Sequence, residues 1–259
     1  MSSKSTNTSS TALKALSVLE AVAFSSRPVS VSEVAEQVRI DKSTAYRMLK
    51  TLADAGYVAQ DEISKRYKLS YKVISLSRNL LADSKVTQLI RQRLEQITAE
   101  TRETLHLSVL DGHETVLILR VKGTQLVTVD FQIGDRVLLH CTAIGKALLA
   151  FQDVRYIEEV IAAGLPKMAS NTITDPDEFR KELQHIRSQG YAIDDREFSD
   201  SMRCIAVPIL EGGGRVHRGI SISGPDSRFS FERLEALKDP LLRASQELSE
   251  QLGGVPWTR

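Results

Sequence analysis

The chain has 259 residues, of which 42% are hydrophobic and 26% charged; this composition excludes a collagen-like repeat or disorder throughout, and the length indicates one large or two modest domains. No apolar run approaches the roughly 18 residues of a membrane span, the first ten residues lack the apolar core of a secretory signal, and two cysteines are too few for a disulfide framework. The net charge of +1 hides an asymmetry, because residues 1–85 carry 13 Lys/Arg against 8 Asp/Glu and the remainder 21 against 25. We therefore expect a cytoplasmic protein with no membrane partner and with a basic third suited to nucleic acid.

Three helices and a hairpin are predicted in this basic third. An apolar stripe after the polar N-terminal tail predicts the first helix. Ser30 and Glu33 form a capping box that begins the second helix. After a short turn, Asp41 is a good N-cap for a third helix, which Gly56 ends. Residues 57–70 then read as two short strands around a charged turn. This order is typical of a winged helix-turn-helix.

The third helix is expected to carry the DNA-reading face. At 100° per residue, Ala45, Leu49 and Leu52 fall together and face the core. The opposite face is rich in hydroxyls and cations, which suit phosphates and base edges in a major groove. Lys65 and Arg66 stand at the hairpin tip, where a wing follows the DNA backbone or the minor groove. The candidate DNA-binding residues are Lys42, Ser43, Thr44, Tyr46, Arg47, Lys50, Lys65 and Arg66.

The rest of the chain predicts linking helices and then an antiparallel α+β domain. Two helices are predicted over YKVISLSRNLLA and VTQLIRQRLEQITAETRE, and the second is long enough to act as a linker and a dimer contact. Hairpins are predicted at Asp111-Gly112 and over 211–214, and QLVTVDFQIGDRVLL is expected to add a strand or a pair. Further helices are predicted near 141–164, over the stretch between Asp175 and Gly190, and at the C-terminal end. Alternating hairpins and helices indicate a domain built on an antiparallel sheet.

Several ordered motifs resemble one family. One stretch is similar to the winged helix-turn-helix of the IclR family of bacterial transcriptional regulators; it is VSVSEVAEQVRIDKSTAYRMLKTLADAGYV. The rest of the chain resembles the GAF-like effector-binding domain of that family. Gly190, Asp194, Glu197 and Cys204 meet the family spacing G-x3-D-x2-E-x6-C without a gap. HCTAIGKALLA and SISGPDSRFS are further hallmarks, and the resemblance covers about residues 11–253.

The chain departs from the family pattern at three positions. Leu210 and Glu211 stand where the family usually has an aromatic residue and then Asp or Asn. Ser201 replaces the usual glycine in the loop that leads into the pocket, where it can alter the shape of the ligand accepted. Within the family, the sequence looks most like regulators of sugar-acid catabolism, notably those that respond to 2-keto-3-deoxygluconate.

The resemblance implies a small-carboxylate site between the CTAIGKA loop and the sheet. The loop positions are those whose backbone N–H groups receive an anion at a helix N-terminus, where the helix dipole favours negative charge. Ser221 and Ser223 are two apart on a strand and share one face. Taken alone, these serines fit an exposed strand face, and Cys204 fits a small buried hydrophobe. The candidate effector-binding residues are Ala143, Ile144, Asp194, Cys204, Ser221 and Ser223.

The hypotheses that the chain is an enzyme or binds a metal fit the sequence less well. Gly145-Lys146 lacks the upstream glycine and the following hydroxyl residue of a phosphate loop, and neither G-x-S-x-G nor H-E-x-x-H occurs. His140 and Cys141 are adjacent, and adjacent side chains rarely face each other as a nucleophile pair needs. The histidines and cysteines match no short zinc pattern, and His106 is expected to face away from its leucine neighbours. We expect no catalytic site, metal or cofactor.

The expected protein is a ligand-responsive regulator of transcription. Its predicted parts are a disordered tail over residues 1–10, a winged helix-turn-helix over 11–83, a linker helix over 84–102 and an effector-binding domain over 103–259. A homodimer or homotetramer is expected to bind a pseudo-palindromic operator of double-stranded DNA and to release a sugar-acid or other organic-acid catabolic operon when a small carboxylate binds. The alternatives are an activator that responds to an aromatic acid and an interaction adaptor whose winged helix packs on protein rather than on DNA. For the polar face of the third helix alone, the other interpretation is a solvated surface.

Overall fold

The computed structural model describes residues 8–81 and 85–255. The chain divides into two compact units that meet in sequence at residues 82 and 83. The predicted disordered tail lies outside the described residues up to position 7, whereas Ser9 is the N-cap of the first helix. No described helix combines the length and the apolar character needed to span a bilayer.

The N-terminal unit has the predicted order of helices and strands. Its core lies where the first three helices meet the hairpin, and it includes Val18, Val34 and Leu49. The backbone of Val29 exchanges hydrogen bonds with that of Tyr67, which ties the chain before the second helix to the hairpin. The elements are α1 (Ser10–Ala23), α2 (Val31–Val38), α3 (Lys42–Asp54), β1 (Val58–Gln60), β2 (Tyr67–Leu69) and α4 (Lys72–Leu81).

Over residues 85–255, the C-terminal unit is an α+β domain with a six-stranded antiparallel sheet. The helices are α5 (Lys85–Thr101), α6 (Ala143–Leu149), α7 (Val154–Ala163), α8 (Pro176–Gln189) and α9 (Phe231–Gln251). The strands are β3 (Leu105–Asp111), β4 (Glu114–Val121), β5 (Arg136–Leu138), β6 (Ala192–Asp195), β7 (Met202–Glu211) and β8 (Arg215–Pro225). Their order in the sheet is β5-β4-β3-β8-β7-β6.

Each face of the sheet packs against its own set of helices. On one face, alternate strand residues such as Leu107, Val207 and Ile220 join α5 and α9 in an apolar core. On the other face, Ala206 and its neighbours pack with α6, α7 and α8 in a second core. This alternation follows from the two-residue period of a strand, and it leaves Ser221 and Ser223 on the side of α6.

Most predicted element boundaries agree with the structure. Ser30 and Glu33 form the predicted capping box, and the predicted helix stop at Gly190 has a left-handed φ of 82°. The stretch expected to add a strand or a pair forms one strand, β5, which pairs with β4 over three residues. One detail differs. The short strand β6 was not predicted; it pairs with β7 at the sheet edge.

Candidate DNA-binding surface and effector cavity

The start of α3 is fixed by its N-cap. The Asp41 carboxylate accepts hydrogen bonds from the Ser43 hydroxyl at 2.6 Å and from the Thr44 backbone N–H at 2.8 Å. These bonds hold the pKa of Asp41 well below its ordinary value. Ala45 and Leu49 are fully buried in the core, as the periodicity predicts. The polar face of the helix therefore points outward, and the N-cap accepts the Thr44 N–H of its first turn.

The predicted reading face of α3 is accessible. Arg47 is exposed, and one of its Nη atoms donates to Thr44 Oγ1 at 3.3 Å, so the guanidinium lies along the helix surface. Thr44 is half-buried, while the other α3 candidates are exposed. Groups that can bond phosphates and base edges thus share one surface. The exposed candidates on this helix are Lys42, Ser43, Tyr46, Arg47 and Lys50.

The two hairpin cations have different surroundings. Lys65 is exposed, and its backbone has a left-handed φ of 57° at the turn. Arg66 is half-buried, and it donates to the Glu33 carboxylate at 2.8 Å and to the Pro28 carbonyl at 3.1 Å. Arg66 therefore ties the hairpin to the start of α2, and Lys65 is the more available of the two for a phosphate.

The C-terminal unit encloses a cavity between α6 and the sheet. Its volume is about 40 Å³, counted as the space open to the centre of a water molecule, and both polar and apolar side chains line it. Ala143 and Ile144 form the wall at the start of α6. The Thr142 hydroxyl caps the helix by accepting the Gly145 N–H at 3.1 Å. The first N–H groups of a helix have no acceptor within it, so this wall can receive an anionic group.

Three predicted polar residues meet on the sheet wall of the cavity. Cys204 on β7 and Ser223 on β8 are register partners, and Ser221 lies two residues before Ser223 on the same face. Burial raises the pKa of the Cys204 thiol well above its ordinary value, so the group is a neutral thiol. Two hydroxyls and a thiol thus face the α6 terminus across the cavity.

Asp194 lies beside the cavity wall on β6, outside the set of lining residues. It is the register partner of Cys204, and its side chain is 0% exposed. One carboxylate oxygen accepts the Glu197 N–H at 2.7 Å, while Oδ2 has no hydrogen-bond partner among the described residues. Burial raises the pKa of Asp194 to about 6. The structure therefore places this candidate one strand away from the contact position that the sequence implied.

Two stretches of the chain match models of one family. Residues 11–62 match the IclR helix-turn-helix domain, and residues 79–250 match the bacterial transcriptional regulator IclR C-terminal domain. The chain belongs to the IclR family. It is a DNA-binding transcriptional regulator with an effector-binding C-terminal domain, and not an enzyme.

Relatives in the IclR family align over nearly the whole chain. The HTH-type transcriptional regulator KdgR of Escherichia coli K12 is 34% identical over 245 residues, which covers 94% of this chain and 93% of the relative. The IclR of Thermotoga maritima is a solved structure with 34% identity and a TM-score of 0.75, covering 94% of this chain and 98% of that one. An IclR homologue of Microbacterium hydrocarbonoxydans, solved with 4-hydroxybenzoate, shares the fold at 22% identity with a TM-score of 0.77, covering 93% and 100%.

Further along α6 from the cavity, this IclR-family chain buries a charged cluster that the sequence did not predict. Lys146 on α6 is 1% exposed, and its ammonium contacts Glu197 at 2.5 Å and Glu182 at 2.9 Å. Burial opposes its charge, but the two carboxylates raise its pKa above the ordinary value. Burial also raises the pKa of Glu197 to about 7. A lysine inside the apolar stretch of HCTAIGKALLA was the available signal, because buried lysines require acidic partners.

Other lining residues were also missed by the sequence reasoning. Ser108 on β3, Phe131 and Asp135 line the cavity with Thr142. His106 lines it as well, and its predicted side of the strand, opposite the leucines, is the cavity side. Among the described residues, no group of three or more His, Cys, Asp or Glu side chains is arranged to hold a metal ion.

Proposed function

We propose that this regulator represses a catabolic operon for a sugar acid or another small organic acid, and that it leaves its operator when the acid binds the cavity. The observation that carries the proposal is the pairing of an amide-lined helix start at Ala143 and Ile144 with the hydroxyls of Ser221 and Ser223. The first group suits a carboxylate, and the second suits hydroxyl or keto oxygens. The resemblance of the sequence to regulators of sugar-acid catabolism supports a sugar acid such as 2-keto-3-deoxygluconate, and the transcriptional regulator KdgR is 34% identical to this chain.

The proposed mechanism is a population shift in a homo-oligomer. Two copies place two α3 helices in successive major grooves of a pseudo-palindromic operator, and half-site spacing fixes their separation. The acid binds the state in which that separation is wrong for the operator, and it therefore lowers the DNA-bound population. A homodimer is the minimal unit, a homotetramer would pair two such units, and the cytoplasm is the proposed location.

The central experiment is a footprint on the DNA upstream of the regulator's own gene, at physiological salt and with excess competitor DNA. Parallel lanes contain 2-keto-3-deoxygluconate, pyruvate, glyoxylate or 4-hydroxybenzoate. We expect a protected pseudo-palindrome that the sugar acid releases. Release by 4-hydroxybenzoate alone would favour the aromatic-acid alternative, and stronger protection or activated transcription with ligand would reverse the sign of regulation. Protection that none of the acids changes would refute the effector class.

The cavity is tested by the double substitution Ser221→Ala and Ser223→Ala. We expect the ligand response to disappear while operator binding stays unchanged, because both hydroxyls line the cavity in the C-terminal unit. Fluorescence anisotropy on operator DNA, with and without the acid, measures both quantities. The exposed Ser227→Ala variant is the matched control. Loss of DNA binding in the double variant would indicate a structural role instead.

A further inference from the structure

His106 is a buried histidine in the cavity wall without a hydrogen-bond partner. Its side chain is 3% exposed, and neither Nδ1 nor Nε2 bonds to any of the described residues. Its ring is held edge-on against Phe131, with 5.8 Å between the ring centroids. Buried polar groups are normally hydrogen-bonded, and one that is not requires an explanation. Here the unpaired atoms belong to a residue that lines the cavity.

The imidazole of His106 is uncharged at physiological pH. Burial, together with the nearby Arg120 charge, lowers its pKa to about 4. A neutral imidazole has one N–H donor and one acceptor nitrogen. It is therefore suited to a hydroxyl or a carbonyl oxygen, and less suited to a carboxylate than a charged group would be.

The neighbours of His106 give that part of the wall the same chemistry. Ser221 on β8 is its direct register partner, and Ser108 lies two residues along β3 and also lines the cavity. One imidazole and two hydroxyls thus share this part of the sheet. The N–H groups at Ala143 and Ile144 belong to a different element, α6. The cavity therefore offers one set of groups for an acid and another for hydroxylated carbon.

We propose that His106 is a specificity-determining residue that hydrogen-bonds a hydroxyl or carbonyl group of the effector away from its carboxylate. The cavity then prefers a polyhydroxylated acid to an acid that lacks such groups. This inference rests on the proposed function of the cavity as the effector site, and it adds which part of the ligand is selected and by which side chain.

The test compares two ligands that share a 2-keto-acid end. Isothermal titration of the full chain measures the affinity for 2-keto-3-deoxygluconate, which has a hydroxylated tail, and for pyruvate, which has none. His106→Phe retains an aromatic ring against Phe131 and removes both nitrogens. We expect it to weaken 2-keto-3-deoxygluconate binding about tenfold or more, as loss of one buried hydrogen bond does, and to leave pyruvate binding within about twofold. His185→Phe, at an exposed histidine of α8, is the matched control.

Two further readouts separate selection from a structural role. His106→Asn keeps a donor and an acceptor, and it should recover part of the lost affinity. In the wild type, the imidazole ¹⁵N signals of His106 should shift with 2-keto-3-deoxygluconate and stay unchanged with pyruvate. Equal weakening of both ligands by His106→Phe, or full retention of 2-keto-3-deoxygluconate affinity, overturns this inference alone. A wild type that binds neither acid overturns both this inference and the proposed effector class.

Discussion

Asp194 is a buried residue whose charge the fold disfavours. Its carboxyl group is completely buried, one oxygen accepts the backbone N–H of Glu197, and the other has no partner among the described residues. Asparagine has nearly the same shape and retains the oxygen that accepts this bond. Asp194→Asn therefore removes the buried charge and preserves the contact that orients the side chain.

The expected gain follows from the pKa. Burial raises it from 3.8 to about 6, and one pKa unit corresponds to about 1.4 kcal/mol, so ionisation of Asp194 costs the folded state about 3 kcal/mol. Because the pKa is higher in the folded state, the free energy of unfolding of the wild type falls by this amount as the pH rises from about 3.8 to 6, and it falls no further above that range. Asp194→Asn should be about 2–3 kcal/mol more stable at pH 8, with about half that advantage at pH 5.

Differential scanning calorimetry of the full chain measures this gain in the transition of the C-terminal unit. In a domain of this size, about 3 kcal/mol corresponds to a rise of roughly 6–12 °C in Tm. The change in the advantage with pH decides the matter, because any packing defect adds a constant offset at every pH. Glu159→Gln, at an exposed carboxyl of α7, is the control. An Asp194→Asn advantage that stays the same between pH 5 and 8 would refute the reasoning.

Two other predictions concern the recognition helix and α6. Arg47→Ala should cost about 1–3 kcal/mol of operator affinity and reduce discrimination against altered operators, whereas Lys65→Ala should weaken binding to every DNA sequence alike. Fluorescence anisotropy on the operator and on altered operators measures both effects. Uniform weakening by Arg47→Ala would count against a base contact. Gly145→Ala would place a Cβ atom 2.5 Å from the Leu139 backbone, so α6 must shift. Calorimetry should show about 1–3 kcal/mol of destabilisation. An unchanged Tm would mean that α6 has room to move.

Local signals made most of the fold predictable. The capping box at Ser30 and Glu33, the N-caps at Asp41 and Asp175 and the stop at Gly190 depend on neighbouring residues, and each is observed. The strand β6 had no such signal. It is four residues long and lies at the sheet edge, where pairing with β7 rather than its own pattern makes it a strand.

The cavity was less predictable because its walls come from distant segments. His106 and Ser221 are direct partners across β3 and β8, a pairing that no local pattern reveals. Leu117 shows the same difficulty within one strand. The register between β3 and β4 shifts by a residue between Leu107 and Ser108, so Leu117 lines the cavity while Leu119, two positions on, joins the opposite core. Strict alternation would have placed both leucines on one face.

The buried ammonium of Lys146 also limits how α6 can move. Its partners belong to two other segments, since Glu182 lies on α8 and Glu197 follows β6. If α6 moved away alone, it would leave an unpaired charge in the interior, and breaking such a pair typically costs about 3–5 kcal/mol. If a ligand displaced the first turn of α6, we therefore expect these three segments to move together, so that α8 would shift without contacting the ligand.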